Sequence, residues 1–181
     1  LGGEAAHVVL VAGHWQNDAG AVCPDGLQEV DVNLAVAREA AALLRGAGYS
    51  AEVIPEYSPK LVGLRAMAFV AIHADSCLGG LSGYKVAHYA EADPLGPAGL
   101  LAASLSRAYA DSTGLAPHPN TITDDMRRYH GLRKIAPDTP GVIIECGFLG
   151  GDRRVLTEHR DLVAQGIADG IIAFLETNAA D

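Results

Sequence analysis

The stretch VVLVAGHWQNDAG, Val8 to Gly20, decides the fold class. It runs as an apolar segment into Ala12-Gly13-His14 and then turns polar. Val8 to Ala12 is apolar at every position, so a strand here is covered on both faces. Gly13 supplies the turn that ends it, and the next residue is a histidine at the mouth of the core. Two further stretches repeat the pattern. FVAIH (Phe69 to His73) ends in His73, and GVIIECGF (Gly141 to Phe148) carries Glu145 directly after VII. AEVIP (Ala51 to Pro55) reads as a strand stopped by proline, and YKVAHYA (Tyr84 to Ala90) as a more alternating one.

Between the strands lie helical segments. GLQEVDVNLAVAREAAALLRGAG reads as a helix from about Leu27 to Arg45, punctuated by Gly46 and Gly48. Pro59 opens a short helical segment. Gly96 to Ala110 carries an Ala/Leu stripe, and two helices follow near Arg153–Glu158 and Asp161–Leu175. Pro117 to Asp138 is turn-rich. Continuous apolar strands alternating with helices predict an α/β fold: a mostly parallel, twisted sheet of about six strands with helices on both faces. With 181 residues, one domain over 1–181 is expected, with 1–6 and 177–181 as terminal tails.

Composition narrows the function. Hydrophobic residues make up 49% and charged residues 19%, which excludes a disordered chain. Thirteen Lys and Arg against 22 Asp and Glu give a net charge of −9, which disfavours nucleic acid and anionic surfaces. The basic clusters MRRYHGLRK (Met126 to Lys134) and DRR (Asp152 to Arg154) are too short to reverse that. No apolar run approaches the ~20 residues of a transmembrane helix. LGGEAA, at the start, has the look of a mature or excised domain from which any targeting segment has been removed. Three cysteines, Cys23, Cys77 and Cys146, allow at most one internal disulfide, and no C-x-x-C marks a structural zinc site.

In open α/β sheets, ligands bind outside the carboxyl ends of the strands. Three such ends deliver His14, His73 and Glu145. Glu29, at the start of the following helix, comes back to the same rim. Glu145, flanked by VII and CGF, carries a desolvation cost unless a cation or a donor meets it. Two imidazoles with one carboxylate form a catalytic zinc donor set with a fourth position left for water. His7 and His159 read as surface residues. His88, His118 and His130 read as bland, with a substrate groove as the alternative.

These residues resemble a known family, the zinc-dependent N-acetylmuramoyl-L-alanine amidases of the type-3 class. The matching motifs are AGH (Ala12 to His14), GLQEVDVNL (Gly26 to Leu34), AIHADS (Ala71 to Ser76) and IECGFLGG (Ile144 to Gly151), in the family's order and across nearly the whole chain. The resemblance implies one Zn2+ per chain held by His14, Glu29 and His73, with Glu145 as the catalytic carboxylate. It implies hydrolysis of the amide between the lactyl group of N-acetylmuramic acid and L-Ala of the peptidoglycan stem peptide. It also implies an extracytoplasmic setting, whether secreted, periplasmic, wall-bound or phage-borne. Peptidoglycan is the expected partner, with a separate wall-targeting module, and the chain is expected to be a monomer.

The chain departs from the family pattern in places. The Asp usual before Gly-His is missing from LVAGH, the usual Thr-Arg is missing from VIPEYSP, the helix before FVAIH is shortened, and Asp75 stands where Asn is usual. No long inserted helix plugs the site, so an open zinc is expected. Cys23 and Cys77 lie in loops expected to border the zinc, so they are either near enough to pair or two unrelated small residues. Two other readings remain, a zinc peptidase on another amide and a non-catalytic wall-binding module. The absence of HExxH weighs against the first, and the intact four residues against the second.

Overall fold

A computed structural model describes residues 7–178. Five strands form one sheet in the order β2-β1-β3-β5-β4. They are β1 (His7–Ala12), β2 (Ser50–Pro55), β3 (Ala68–Asp75), β4 (Lys85–His88) and β5 (Gly141–Phe148). The first three and β5 run parallel, and β4 is an antiparallel edge on β5. The mostly parallel α/β sheet is thus as expected, with five strands rather than about six.

The helices are α1 (Glu29–Gly46), α2 (Pro97–Thr113), α3 (Asp124–Arg127), α4 (His130–Lys134), α5 (Arg153–Glu158) and α6 (Arg160–Asn178). Pro59–Leu61 forms only a single 3-10 turn, shorter than the helix anticipated from its sequence. The turn-rich 117–138 stretch resolves into a 3-10 turn and the short helices α3 and α4. Helix α6 runs through Asn178, so Thr177 and Asn178 belong to it rather than to a tail. The expected tail at 1–6, and residues 179–181, lie outside the described residues.

Side chains alternate across the sheet and build two cores. Val8, Leu10, Val70, Ile72, Val142 and Ile144 face α1, α2 and α6, meeting Val36, Leu44, Leu105, Tyr109 and Ile167. Val9, Val11, Phe69, Ala71, Ile143 and Ala87 face the other way, under Met126, Tyr129, Leu132 and Ile135 from the short helical region. Helix α1 owes its place to a stripe at helical spacing, Val32, Val36, Ala37, Ala40, Ala41 and Leu44, all buried. Its first turn has no side-chain cap. The Glu29 and Val30 N–H groups instead donate to the carbonyls of Ala21 and Ala19, which pins the 13–28 loop to the helix start.

Strand β1 has β2 on one side and β3 on the other, so the strand order reverses at its carboxyl end. That reversal opens the crevice in which α/β sheets place their ligands.

Candidate metal centre

Strand register lines up the chemistry. His73 pairs with Glu145 across β3 and β5, and Glu145 pairs with Lys85 across β5 and β4. Paired residues point to the same side, so His73, Glu145 and Lys85 form a row on the face beneath α3 and α4. Gly13 closes the row at the end of β1, where its N–H donates to the Ile72 carbonyl at 2.9 Å. A Cβ at Gly13 would stand 2.5 Å from the His73 ring, so only glycine lets β1 end this close to the imidazole.

His14 follows in the left-handed region, φ 65°, a conformation non-glycine residues seldom hold and one that clusters at functional sites. The turn brings its ring edge-on to that of His73, with centroids 5.1 Å apart. Glu29, on the first turn of α1, fills the gap. Its Oε1 lies 3.2 Å from His14 Nε2 and 3.2 Å from His73 Nδ1. One donor atom from each of His14, Glu29 and His73 lies within 4.8 Å of the others. The two 3.2 Å edges are close to the ~3.3 Å separation of donors 2.0–2.1 Å from a tetrahedral zinc.

Around this set stand further polar groups. Asp18 Oδ1 is 2.5 Å from His14 Nδ1 and accepts from the Gly20 N–H. Asn33 donates through Nδ2 to Glu29 Oε1 and to the Gly13 carbonyl. Glu56, immediately after β2, accepts from the His14 N–H at 2.7 Å and faces His73 Nε2 at 3.4 Å. Its other oxygen accepts from Tyr129 Oη and lies 2.7 Å from His130 Nε2. Lys85, buried, is ion-paired to Asp75.

These contacts set the electrostatics. Burial opposes the Glu29 carboxylate, but His14, His73 and the Ala21 N–H outweigh it and hold its pKa far below the usual range. Glu56 is held down in the same way, by His130, His73 and Tyr129 against its burial. His73 is pushed up to about 10: burial disfavours its charge, and Glu29 and Glu56 more than restore it. His14 is raised, chiefly through its hydrogen bond to Glu29. Glu145 goes the other way. Burial pushes it up to about 7, with His73 and Lys85 resisting and Glu29 and Asp75 adding to the rise. Its Oε2 is buried with no hydrogen-bond partner.

The residues fit a dication. Two imidazole nitrogens and a carboxylate oxygen converge, Glu29, Glu56, Asp18 and Glu145 crowd negative charge around them, and an orphaned carboxylate oxygen stands on the neighbouring strand. The four residues singled out from sequence, His14, Glu29, His73 and Glu145, are brought together at one rim.

Glu56, Asp18, Tyr129 and His130 were not anticipated there. EYSP after a strand reads as turn chemistry, and His130 falls in the turn-rich 117–138 stretch, where the sequence offers a substrate groove only as the alternative to a bland role. His88 and His118 stay outside the convergence. Nδ1 of His88 meets the Tyr89 carbonyl, and His118 meets Thr121 and the edge of Phe148.

The two loops that flank the centre are joined. Cys23 and Cys77 form a disulfide with Cα atoms 5.5 Å apart, linking the loop before Glu29 to the loop after β3. Cys146 is a free, buried thiol on β5.

Residues 8–173 match the family described as Amidase_3, N-acetylmuramoyl-L-alanine amidase. Among solved structures, the chain is similar to the catalytic domain of CwlV, an N-acetylmuramoyl-L-alanine amidase from Bacillus (Paenibacillus) polymyxa var. colistinus. That match has 28% identity and a TM-score of 0.73, covering 94% of this chain and 98% of that one. It is similar to the N-acetylmuramoyl-L-alanine amidase AmiC2 of Nostoc punctiforme at 27% identity and TM-score 0.72, covering 94% and 97%. An N-acetylmuramoyl-L-alanine amidase from Clostridium difficile 630, at 20% identity and TM-score 0.77 over 97% and 99%, shares the fold. No curated protein sequence matches.

Proposed function

The chain belongs to the N-acetylmuramoyl-L-alanine amidase family, and on that premise we propose that it is a zinc-dependent hydrolase. The bond cleaved is the amide joining the lactyl group of N-acetylmuramic acid to the first L-Ala of the peptidoglycan stem peptide. The observation that carries this reading is the convergence of His14 Nε2 and His73 Nδ1 on Glu29 Oε1, with Glu145 in register beside His73.

His14, Glu29 and His73 would hold one zinc. Zinc in such a site lowers the pKa of a bound water toward ~7 and polarises a carbonyl oxygen. The remaining work belongs to the chain. Glu145 takes the proton of the attacking water on its carboxylate, one oxygen of which is buried with no hydrogen-bond partner, and returns it to the leaving amine as the C–N bond breaks. Its raised pKa suits both halves of that exchange near neutral pH. Lys85, beside Glu145 and tied to Asp75, opposes the burial that would otherwise keep the carboxyl protonated.

The Cys23–Cys77 disulfide favours an oxidising, extracytoplasmic setting. Among the described residues no helix is long and apolar enough to cross a membrane. A net charge of −9 gives little attraction to an anionic wall, which leaves adhesion to a separate targeting module.

Digestion of purified peptidoglycan followed by mass analysis tests the reading. The expected products are stem peptides with a free L-Ala amino group and intact glycan strands. Cleavage within the stem peptide with the lactyl amide untouched would instead support a zinc peptidase, and no turnover a wall-binding module. Metal analysis should give one zinc per chain, and stoichiometric zinc in a folded His14→Ala, His73→Ala double variant would overturn the ligand set.

A further inference from the structure

Glu56 is a buried carboxylate that the proposed chemistry leaves unused. It lies in the VIPEYSP stretch, directly after β2. Pro55 is in register with Ala12, so the residue after it lies beside Gly13 and the turn into His14. Four groups surround its two oxygens: three at hydrogen-bond distance, and His73 Nε2, buried with no hydrogen-bond partner, at ion-pair distance. Oε2 accepts from the His14 backbone N–H at 2.7 Å and faces His73 Nε2 at 3.4 Å. Oε1 accepts from Tyr129 Oη at 2.7 Å and lies 2.7 Å from His130 Nε2.

We infer that Glu56 is a positioning residue that fixes both histidine ligands at once, His73 through its ring and His14 through its backbone. The inference rests on the reading of His14, Glu29 and His73 as zinc ligands. A proton on His73 Nε2, held toward Glu56, leaves the Nδ1 lone pair facing Glu29 Oε1, the direction a metal requires. The hydrogen bond to the His14 N–H holds a residue whose positive φ is unfavourable for a side chain. Tyr129 and His130 clamp the opposite oxygen, so the carboxylate cannot rotate away. Outer carboxylates on ligand histidines fix tautomer and ring orientation in this manner.

The test is zinc affinity, measured by chelator competition on the whole chain, together with the 15N signals of the His73 ring. A carboxamide has one acceptor oxygen, so Glu56→Gln leaves donors facing an NH2 group. In folded Glu56→Gln, zinc affinity should fall ~10–100-fold. Tyr129→Phe removes one of the two groups that clamp Oε1, so zinc affinity should fall in the same direction and by less than in Glu56→Gln. In the zinc-loaded wild type, the ring proton of His73 should be on Nε2.

A ring proton on Nδ1 would overturn the inference even if no Glu56 variant folds. So would unchanged zinc affinity in folded Glu56→Gln, which would mark Glu56 as packing alone. A wild type that takes up no zinc would fell the ligand reading itself, and this inference with it.

Discussion

Glu145 stands in register with His73 across two parallel strands, yet the two side chains differ in kind: both imidazole nitrogens face carboxylates at ion-pair distance, 3.2 and 3.4 Å, and the Glu145 carboxyl faces no cation that close among the described residues. Neighbours placed alike but satisfied so differently should serve different purposes, one holding a metal and the other moving a proton.

Glu145→Gln separates those purposes. The ligand set does not pass through Glu145, so zinc content should stay near one per chain while turnover falls ~10²–10⁴-fold. Zinc analysis and a peptidoglycan release assay on one preparation check this. Loss of zinc from the folded variant would make Glu145 a ligand.

The acidic limb of the pH–rate profile follows from the same group. Its folded pKa is raised, so the basic form is depleted as pH falls through about 7, and the rate should then drop toward tenfold per pH unit. A bound cation favours the carboxylate, so the limb of the zinc-loaded protein should lie at or below that value. The limb should flatten in Glu145→Gln, and an unchanged limb there would assign it to another group.

Gly13→Ala should disable the centre without removing any donor atom. The added methyl falls 2.5 Å from the His73 ring, so ring or strand must shift. A destabilisation of ~1–3 kcal/mol is expected from such overpacking, with weakened zinc binding. Urea unfolding and chelator competition measure the two, and a variant with wild-type affinity would show that the ring has room to move.

The strand ends carried most of what could be read beforehand. His14, His73 and Glu145 were legible because each interrupts an apolar run at a point where burial is costly without a partner. Glu29 was legible through its place in the first turn of α1. Glu56 was not, because a Glu after Pro55 in a turn-like stretch bears no local mark of burial; its four partners come from residues 14, 73, 129 and 130. Tyr129 and His130 were hidden for the same reason. Helices as short as α3 and α4 have too few turns to show a period, and tertiary packing alone defines them.

Removing the Cys23–Cys77 bond should loosen the centre from outside. The bridge spans 54 residues, and the chain-entropy account gives about 4 kcal/mol for a loop of that size. The Cys23→Ser, Cys77→Ser double variant should unfold at lower denaturant. Three thiols titrating in the denatured, unreduced wild type would refute the bond.

The reversal of strand order at β1 also governs when the centre can exist during folding. β3 reaches β1 only after the chain has travelled out to β2 and back, and 44 residues separate Glu29 from the His73 it must meet. Pairings of such sequence separation close slowly, and no fragment ending before β3 contains the donor set. Metal capture should therefore be a late event. In refolding experiments a zinc-sensitive signal should rise with the final phase of sheet formation and not with early helix signals, and a nascent chain halted before residue 73 should be blind to zinc.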